Sequence, residues 1–370
     1  MSYRSPVTGR ALVADSPHSL AAPGERWPVV EGIAYLRTDS EGLVAVALDH
    51  LDAGCPDDAL VALLTDQDDW WTGPATDLGE LKQLVRRRDE LTLREAMALL
   101  RLGPVADYFA YRWSDPTYLA GLALVEAHWQ APATAFELAC GIGHYLRELT
   151  RRGVACTGAD VVFAKCWLAK NWVAPAADYV VFDAAAPWPI ADARFDLVTC
   201  HDAFYFLPDQ PRVAASLRAA VAPTGVLAIS HIHNLDYAGG AKGPAQRAAE
   251  WKAIFADATV YDERALLDAL MRRATPHPVG WGADSRVEAW SLVERHGDDP
   301  GRRVDEGLAM PPPDAMLRPN PLLGPHGVTW PSDRYHDEYG DGCLWAQPDA
   351  DLPTTDAVRL RRVVDLPERW

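Results

Sequence analysis

Lysine is scarce in this 370-residue chain: it occurs at Lys82, Lys165, Lys170, Lys242 and Lys252, and arginine supplies 30 of the 35 basic residues. Basic residues are also outnumbered by 52 acidic ones, for a formal net charge of −17. A chain so acidic repels a polyphosphate backbone unless a local basic patch overrides the field. The compact basic run Arg86, Arg87, Arg88 is followed at once by Asp89 and Glu90 inside a helical pattern, so it reads as a solvated helix face. Nucleic acid is therefore not expected as a partner. Cysteine is sparse as well, and Cys55, Cys140, Cys156, Cys166, Cys200 and Cys343 form no C-x-x-C pair. That scatter argues for free thiols in a reducing cytoplasm. Neither a signal-peptide pattern nor a long apolar run is found, so no membrane contact is expected. What the chain does have is a globular composition, 49% hydrophobic and 24% charged, enough to bury a large core.

Residues 1–50 carry Pro6, Gly9, Pro17, Pro23, Gly24, Pro28 and Gly32 between the apolar pieces WPVV, GIAYL and GLVAVAL, which predicts a small β unit of short strands and turns. Residues 51–104 change to helical periodicity in DDALVALL and LTLREAMALL, a helical connector. From 105 to 297, strand-like runs (TAFELAC, VACTGAD, DYVVFDA, FDLVTC, GVLAISHI, VEAWSLV) alternate with helical ones (HYLRELTRR, QPRVAASLRAAV, DERALLDALMRR). This alternation predicts an α/β domain whose parallel sheet is covered by helices. Residues 298–370 become rich in Pro, Gly and Asp yet keep Trp330, Tyr335, Tyr339 and Trp345, which predicts an ordered but irregular extension.

The strongest chemical signal is FELACGIGHYL, residues 136–146, an apolar strand that reaches an acid and then runs through a glycine turn into a helix. Gly141 and Gly143 let the backbone approach a ligand closely, and they leave the N–H groups of the helix start facing it. A dinucleotide site normally has a third glycine three residues on, where this chain has Leu146, so a nicotinamide oxidoreductase is the weaker alternative. Asp160 ends the next strand, 17 residues beyond Gly143, where an acid can accept both ribose hydroxyls. Asp183 follows in VVFDAAAPWPI, and Asp196 in FDLV reads as a strand-entry residue.

The acid, three residues, Gly-x-Gly arrangement of Glu137, Gly141 and Gly143 resembles motif I of class I S-adenosylmethionine (SAM)-dependent methyltransferases, and the resemblance covers about half the chain. It implies a Rossmann-like seven-stranded sheet with helices on both faces, its antiparallel seventh strand supplied by RVEAWSLVERH. SAM is the implied cofactor and S-adenosylhomocysteine (SAH) its product. By the same resemblance Glu137 orients the methionine amino group, Cys140 lies in the turn, and Asp160 holds the ribose. Asp183 and the Ala184 N–H face the adenine, and His201 lies over the cofactor.

Methyl transfer requires positioning more than a fixed catalytic residue, so the motif does not name the acceptor atom. Candidates at the carboxyl ends of the strands are His201, Asp202 and Tyr205 after the fourth strand, and His231 and His233 in AISHIHNLDY after the fifth. Strand alternation would place the last two on one side. They are either a base or hydrogen-bonded structural groups, and as a pair they are too few for a metal site, so no metal is expected. Upstream, Tyr108 and Arg112 lie one turn apart, either to close on the cofactor carboxylate or to anchor packing. The segment Asn234–Thr259, with Gly239, Gly240, Gly243 and Pro244, is expected to be a mobile loop of the kind that often covers substrates.

At the N-terminus, YRSPVTGRAL resembles the zinc-ribbon-like Trm112 domains, with Ser5 and Thr8 where that family has zinc-binding cysteines. The resemblance implies a metal-free unit held by packing. The reading overall is a cytoplasmic methyltransferase of specialised metabolism acting on a small molecule or peptide. The appendages are possible contacts for another subunit or partner, and the alternative is a non-catalytic scaffold of the same fold.

Overall fold

The computed structural model describes residues 1–67, 71, 73–190, 192–282, 284–295, 301–305, 307–346 and 354–370. The expected boundary at 297 and 298 lies outside these. Five short strands open the chain: β1 (Tyr3–Arg4), β2 (Ala11–Ser16), β3 (Ser19–Ala22), β4 (Glu25–Val30) and β5 (Ile33–Tyr35). Helices α1 (Glu41–Asp52), α2 (Pro56–Leu63), α3 (Leu78–Arg87), α4 (Leu93–Leu99), α5 (Pro104–Tyr111) and α6 (Pro116–Ala127) follow. The alternating part comprises β6 (Thr134–Leu138), α7 (His144–Thr150), β7 (Ala155–Asp160), α8 (Phe163–Leu168), β8 (Asp178–Val181), β9 (Phe195–His201), α9 (Gln210–Ala220) and β10 (Val221–His233). It closes with α10 (Ala248–Ile254), β11 (Thr259–Asp262), α11 (Glu263–Arg272) and β12 (Ala289–Arg295), and α12 (Asp333–Tyr339) lies in the C-terminal extension.

One twelve-stranded sheet runs through the molecule in the order β1-β2-β3-β4-β5-β8-β7-β6-β9-β10-β12-β11. The strands β8, β7, β6, β9 and β10 are parallel, and β12 is antiparallel to both β10 and β11. β12 is the seventh strand anticipated from RVEAWSLVERH. The chain reverses its direction of winding between β6 and β9, which opens a crevice at the carboxyl ends of those strands.

The N-terminal strands extend this sheet rather than merely packing on it: β5 pairs in parallel with β8 through Ala34↔Val180 and Tyr35↔Val181. Main-chain pairing, not packing alone, therefore joins the unit to its neighbour. In its first turn Ser5 and Thr8 hydroxyls both donate to Glu25, whose carboxylate also takes Trp27 Nε1–H at 3.2 Å. A carboxylate with three hydrogen bonds thus ties together the positions that resemble zinc ligands. Burial raises the Glu25 pKa, but the bonds from Ser5, Thr8 and Trp27 outweigh it and leave the pKa lowered.

Two expectations are corrected. GLVAVAL is not a strand but part of α1, because Val44, Ala47 and Leu51 fall three to four residues apart and form one buried stripe. The segment after Asn234 is not loop throughout: its second half folds as α10, anchored by the fully buried Trp251, whose Nε1–H donates to the His233 carbonyl. Arg86 and Arg87 are exposed on α3, as a solvated face requires. No helix among the described residues is long and apolar enough to cross a membrane.

Candidate active site

The turn between β6 and α7 is built from left-handed backbone at Ala139 (φ 54°), Gly141 (φ 53°) and Gly143 (φ 83°). Ala139 was not singled out from the sequence, since nothing about alanine announces this conformation, which costs about 1–2 kcal/mol in a residue with a Cβ. Gly143 caps α7, where a Cβ would meet Tyr179 Oη at 3.1 Å and Ala169 at 3.2 Å. A Cβ at Gly141 would lie 3.1 Å from the Phe109 ring, so α5 lies directly over the turn. Leu146, at the third-glycine position, is fully buried, and the room for it comes from Gly158 on β7: a Cβ there would stand 2.6 Å from Leu146 Cδ1. The glycine needed for close helix–strand packing is on the strand instead of the helix.

Asp160 is buried at the end of β7 and accepts the Gly141 N–H at 3.0 Å and the Val162 N–H at 3.1 Å, with Lys165 Nζ at 3.5 Å. It therefore fastens the glycine turn, a role the ribose assignment did not include. Asp183 accepts the Ala185 N–H at 2.8 Å, and the Ala184 carbonyl takes Trp188 Nε1–H. Asp196 accepts N–H bonds from Ala133 and Thr134 near the opposite end of the sheet, a structural placement. A cavity of about 230 Å³ lined by His128, Trp129 and Asp196 also opens at that end, away from the glycine turn.

Glu137 is 2% exposed and its Oε2 has no hydrogen-bond partner among the described residues. Burial pushes its pKa well above the usual carboxylate range, with only the nearby Arg112 opposing. The Oγ1 of Thr199, its register partner on β9, is unpartnered too, as is His201 Nε2.

Around the ends of β9 and β10 the sequence candidates converge on Asp202. Its Oδ2 accepts Tyr108 Oη–H and Arg112 Nη1–H, each at 2.9 Å, and its Oδ1 accepts Tyr205 Oη–H at 2.9 Å. Tyr108 and Arg112 thus both close on a carboxylate, and that carboxylate is the protein's own. Arg112 also lies 3.6 Å from Asp115 and over the Tyr108 and Tyr145 rings. His201 Nδ1 pairs with Ser230 Oγ at 2.8 Å, and its ring stacks on Tyr145 at 3.8 Å. His231 and His233 lie side by side, ring centroids 4.6 Å apart, although β10 is bulged here and His231 has φ 57°. His231 Nδ1 meets Glu263 at 2.5 Å, and Glu263 is a site residue that sequence reasoning missed. It opens α11 directly after β11, a strand with only two buried residues, Val260 and Tyr261, that does not stand out in the sequence.

The three histidines are not equivalent. Burial drives His201 down to about 3, with Arg112 adding to the effect. Burial and the neighbouring His231 likewise drive His233 to about 3. For His231 burial also pushes downward, but Glu263 and Asp202 outweigh it and raise it to about 9. At neutral pH His231 is the imidazolium and the other two are neutral. The cluster is roofed by the C-terminal extension and by residues 234–247. Tyr339 lies 6.2 Å from the Tyr108 ring, Lys242 Nζ donates to the Asp337 carbonyl, and Gly243 approaches His233 Nε2 so closely that a Cβ would stand at 3.0 Å. No group of three or more metal-ligating side chains gathers among the described residues.

A parallel sheet with this strand order, an antiparallel strand between β10 and β11, and an acid followed by a glycine turn at the switch point define a class I methyltransferase domain. Residues 136–229 match the family model described as a methyltransferase domain, and SAM is the cofactor of that class. The residues fit it, for Glu137 is buried with no hydrogen-bond partner among the described residues and stands beside the left-handed glycine turn. No curated protein matches the chain. Among solved structures, a TehB-like SAM-dependent methyltransferase from Corynebacterium glutamicum is 19% identical (TM-score 0.36) over 52% of this chain and 98% of its own. A chain from the complex of the Haloferax volcanii Trm112 methyltransferase activator with a methyltransferase is 19% identical over 52% and 93% (TM-score 0.39). A SAM-bound amino pentose methyltransferase from Micromonospora echinaspora is 24% identical over 33% and 54% (TM-score 0.27). Likenesses this distant carry no argument about substrate.

Proposed function

We propose that the chain methylates a small-molecule or peptide acceptor by in-line displacement, with Glu137 and Arg112 holding the methionine end of SAM, Asp160 the ribose, and Asp183 with the Ala184 N–H the adenine. The observation that carries this reading is Glu137: an acid kept buried without a partner costs stability and is retained where a cationic ligand completes it. The cofactor supplies a methyl group on a cationic sulfur. The chain's own work is then to hold, orient and exclude water. Enclosure of the candidate site by α12 and residues 234–247 favours a compact acceptor over a macromolecular surface, in keeping with the net charge of −17.

The proton inventory narrows the acceptor. His231 already carries its proton, and His201 and His233 are too acidic as imidazolium ions to keep one at neutral pH. The Tyr205 hydroxyl is committed to Asp202, and burial raises its pKa well above the phenol range. This supports an acceptor that is nucleophilic as it binds, such as a neutral amine, rather than an alcohol that needs a strong base. His201, Tyr205 and His233 then orient the acceptor instead of deprotonating it.

Calorimetric titration with SAM, SAH and NADH tests the reading. SAM and SAH should bind and NADH should not. Asp160→Ala should weaken SAH by about 1.5–3 kcal/mol, the size of charge-assisted hydrogen bonds. A folded wild-type protein that binds neither SAM nor SAH would sink the assignment.

A further inference from the structure

Glu263 belongs to none of the cofactor motifs, yet it begins a buried chain of alternating charge that ends at the cofactor site. Its Oε2 lies 2.5 Å from His231 Nδ1, and His231 Nε2 lies 3.8 Å from Asp202 Oδ1. Asp202 Oδ2 in turn takes Arg112 Nη1–H at 2.9 Å. The order is carboxylate, imidazolium, carboxylate, guanidinium, and the Glu263, His231, Asp202 and Arg112 side chains are all close to 10% exposed or less.

Two observations set this chain apart from an ordinary stabilising network. Its two inner members are strained, Asp202 at φ 50° and His231 at φ 57°, the latter within the β10 bulge. Buried ion pairs add little stability over apolar packing, so strain spent on holding them points to a site rather than to folding. Finally, Arg112 uses only Nη1 on carboxylates, and its Nε and Nη2 make no hydrogen bond among the described residues, while its charge reaches the unpartnered Glu137. One edge of the guanidinium is pinned and the other is left for a ligand.

We propose that Glu263 is a positioning residue of the cofactor site, which acts through His231 and Asp202 to fix Arg112 so that its free edge receives the carboxylate of the cofactor's methionine end. This rests on the placement of that end at Glu137 and Arg112. Neutralising Glu263 weakens the hold on the His231 proton. A deprotonated His231 no longer balances Asp202, which then draws Arg112 toward itself. Other ionisable groups facing the chain are Glu137 on β6, Tyr108 on α5, His144 and Tyr145 on α7, His201 on β9 with Tyr205 after it, His233 on β10, Glu288 ahead of β12, Lys242 in the 234–247 segment, Asp115 ahead of α6, and Glu338 and Tyr339 on α12. Among the described residues only Glu263 hydrogen-bonds the His231 ring, so it has the largest leverage on that proton.

The test is calorimetric titration of wild type, Glu263→Gln and Glu263→Asp with SAH and with 5′-methylthioadenosine, which lacks the carboxylate, between pH 7 and 9.5. The amine of SAH titrates equally in all three proteins and cancels in the comparison. The expected result is that Glu263→Gln moves the midpoint of SAH affinity loss down by about one pH unit or more, weakens SAH about tenfold at pH 8, and leaves methylthioadenosine unchanged. Glu263→Asp should restore most of the SAH affinity, and if the glutamine variant does not fold, the aspartate variant's midpoint against wild type carries the comparison. Equal weakening of both ligands, weakening without a moved midpoint, or no change would overturn the proposal while leaving the cofactor placement standing. Failure of wild type to bind either ligand would remove that placement and the proposal together.

Discussion

Glu137 shows the conflict between stability and function at a single side chain. It is buried without a hydrogen-bond partner among the described residues, and burial raises its pKa, so above about pH 4.5, where the carboxyl ionises in the unfolded chain, it opposes folding until a cation arrives. Glu137→Gln keeps the shape and removes the charge. The variant is therefore expected to be more stable than wild type without ligand, by at least about 1 kcal/mol in urea unfolding at pH 7, and to bind SAH more weakly. A variant less stable than wild type would mean that the carboxylate has a native partner after all. The acid was legible in the sequence because its spacing to Gly141 and Gly143 is distinctive. The left-handed Ala139 was not, since residue type gives no sign of that backbone, and neither was Glu263, which reaches the cluster only through the fold.

Between elements, the informative contact is Leu146 of α7 against Gly158 of β7. From sequence, Leu146 spoke against a dinucleotide turn, and the compensating glycine on the strand went unnoticed because a lone glycine inside VACTGAD has no local signature. Gly158→Ala would force its Cβ to within 2.6 Å of Leu146 Cδ1 and 2.8 Å of Cys140 Sγ. Overpacking of this kind costs about 1–3 kcal/mol. In a Leu146→Ala background the same methyl enters a vacated space, so the two changes should couple favourably by about 1 kcal/mol or more in a double-mutant cycle. Additive losses would show that the helix and strand relax apart. Six strands of the domain were legible because they lie in apolar runs bounded by turns, whereas β11, TVYD with only Val260 and Tyr261 buried, lies in no such run and escaped notice. GLVAVAL was misread because a short apolar run fits either period, and what decides is the buried stripe Val44, Ala47, Leu51.

For the molecule as a whole, the C-terminal extension is part of the site's enclosure: Trp345 donates to the Ser114 carbonyl, Asn320 to Ser114 Oγ, and Trp370 to the Ala110 carbonyl. Sealing so many titratable groups makes global stability depend on pH. His144, His201 and His233 have depressed pKa values, so their contributions are complete above about 6.5 and are lost as pH falls. Asp66 and Asp115, raised to about 6 chiefly by burial, and Glu137 work in the opposite sense over much of that acid range, so the two groups largely offset each other there. On the alkaline side no shift among the described residues offsets His231 between pH 6.5 and 8.5. Its pKa is raised to about 9, so its contribution is complete below about 6.5 and is lost as pH rises to 9, with the ionising Glu137 acting in the same direction. Urea unfolding at pH 6.5, 7.5 and 8.5 should therefore show stability falling by about 1 kcal/mol per pH unit, close to the limiting slope of about 1.4 kcal/mol for one proton held more tightly in the native state. Glu263→Gln should flatten that decline, since its His231 is already near an ordinary pKa. A wild-type profile level from 6.5 to 8.5 would mean that His231 is not held as an imidazolium, and the charge alternation from Glu263 to Arg112 would fall with it.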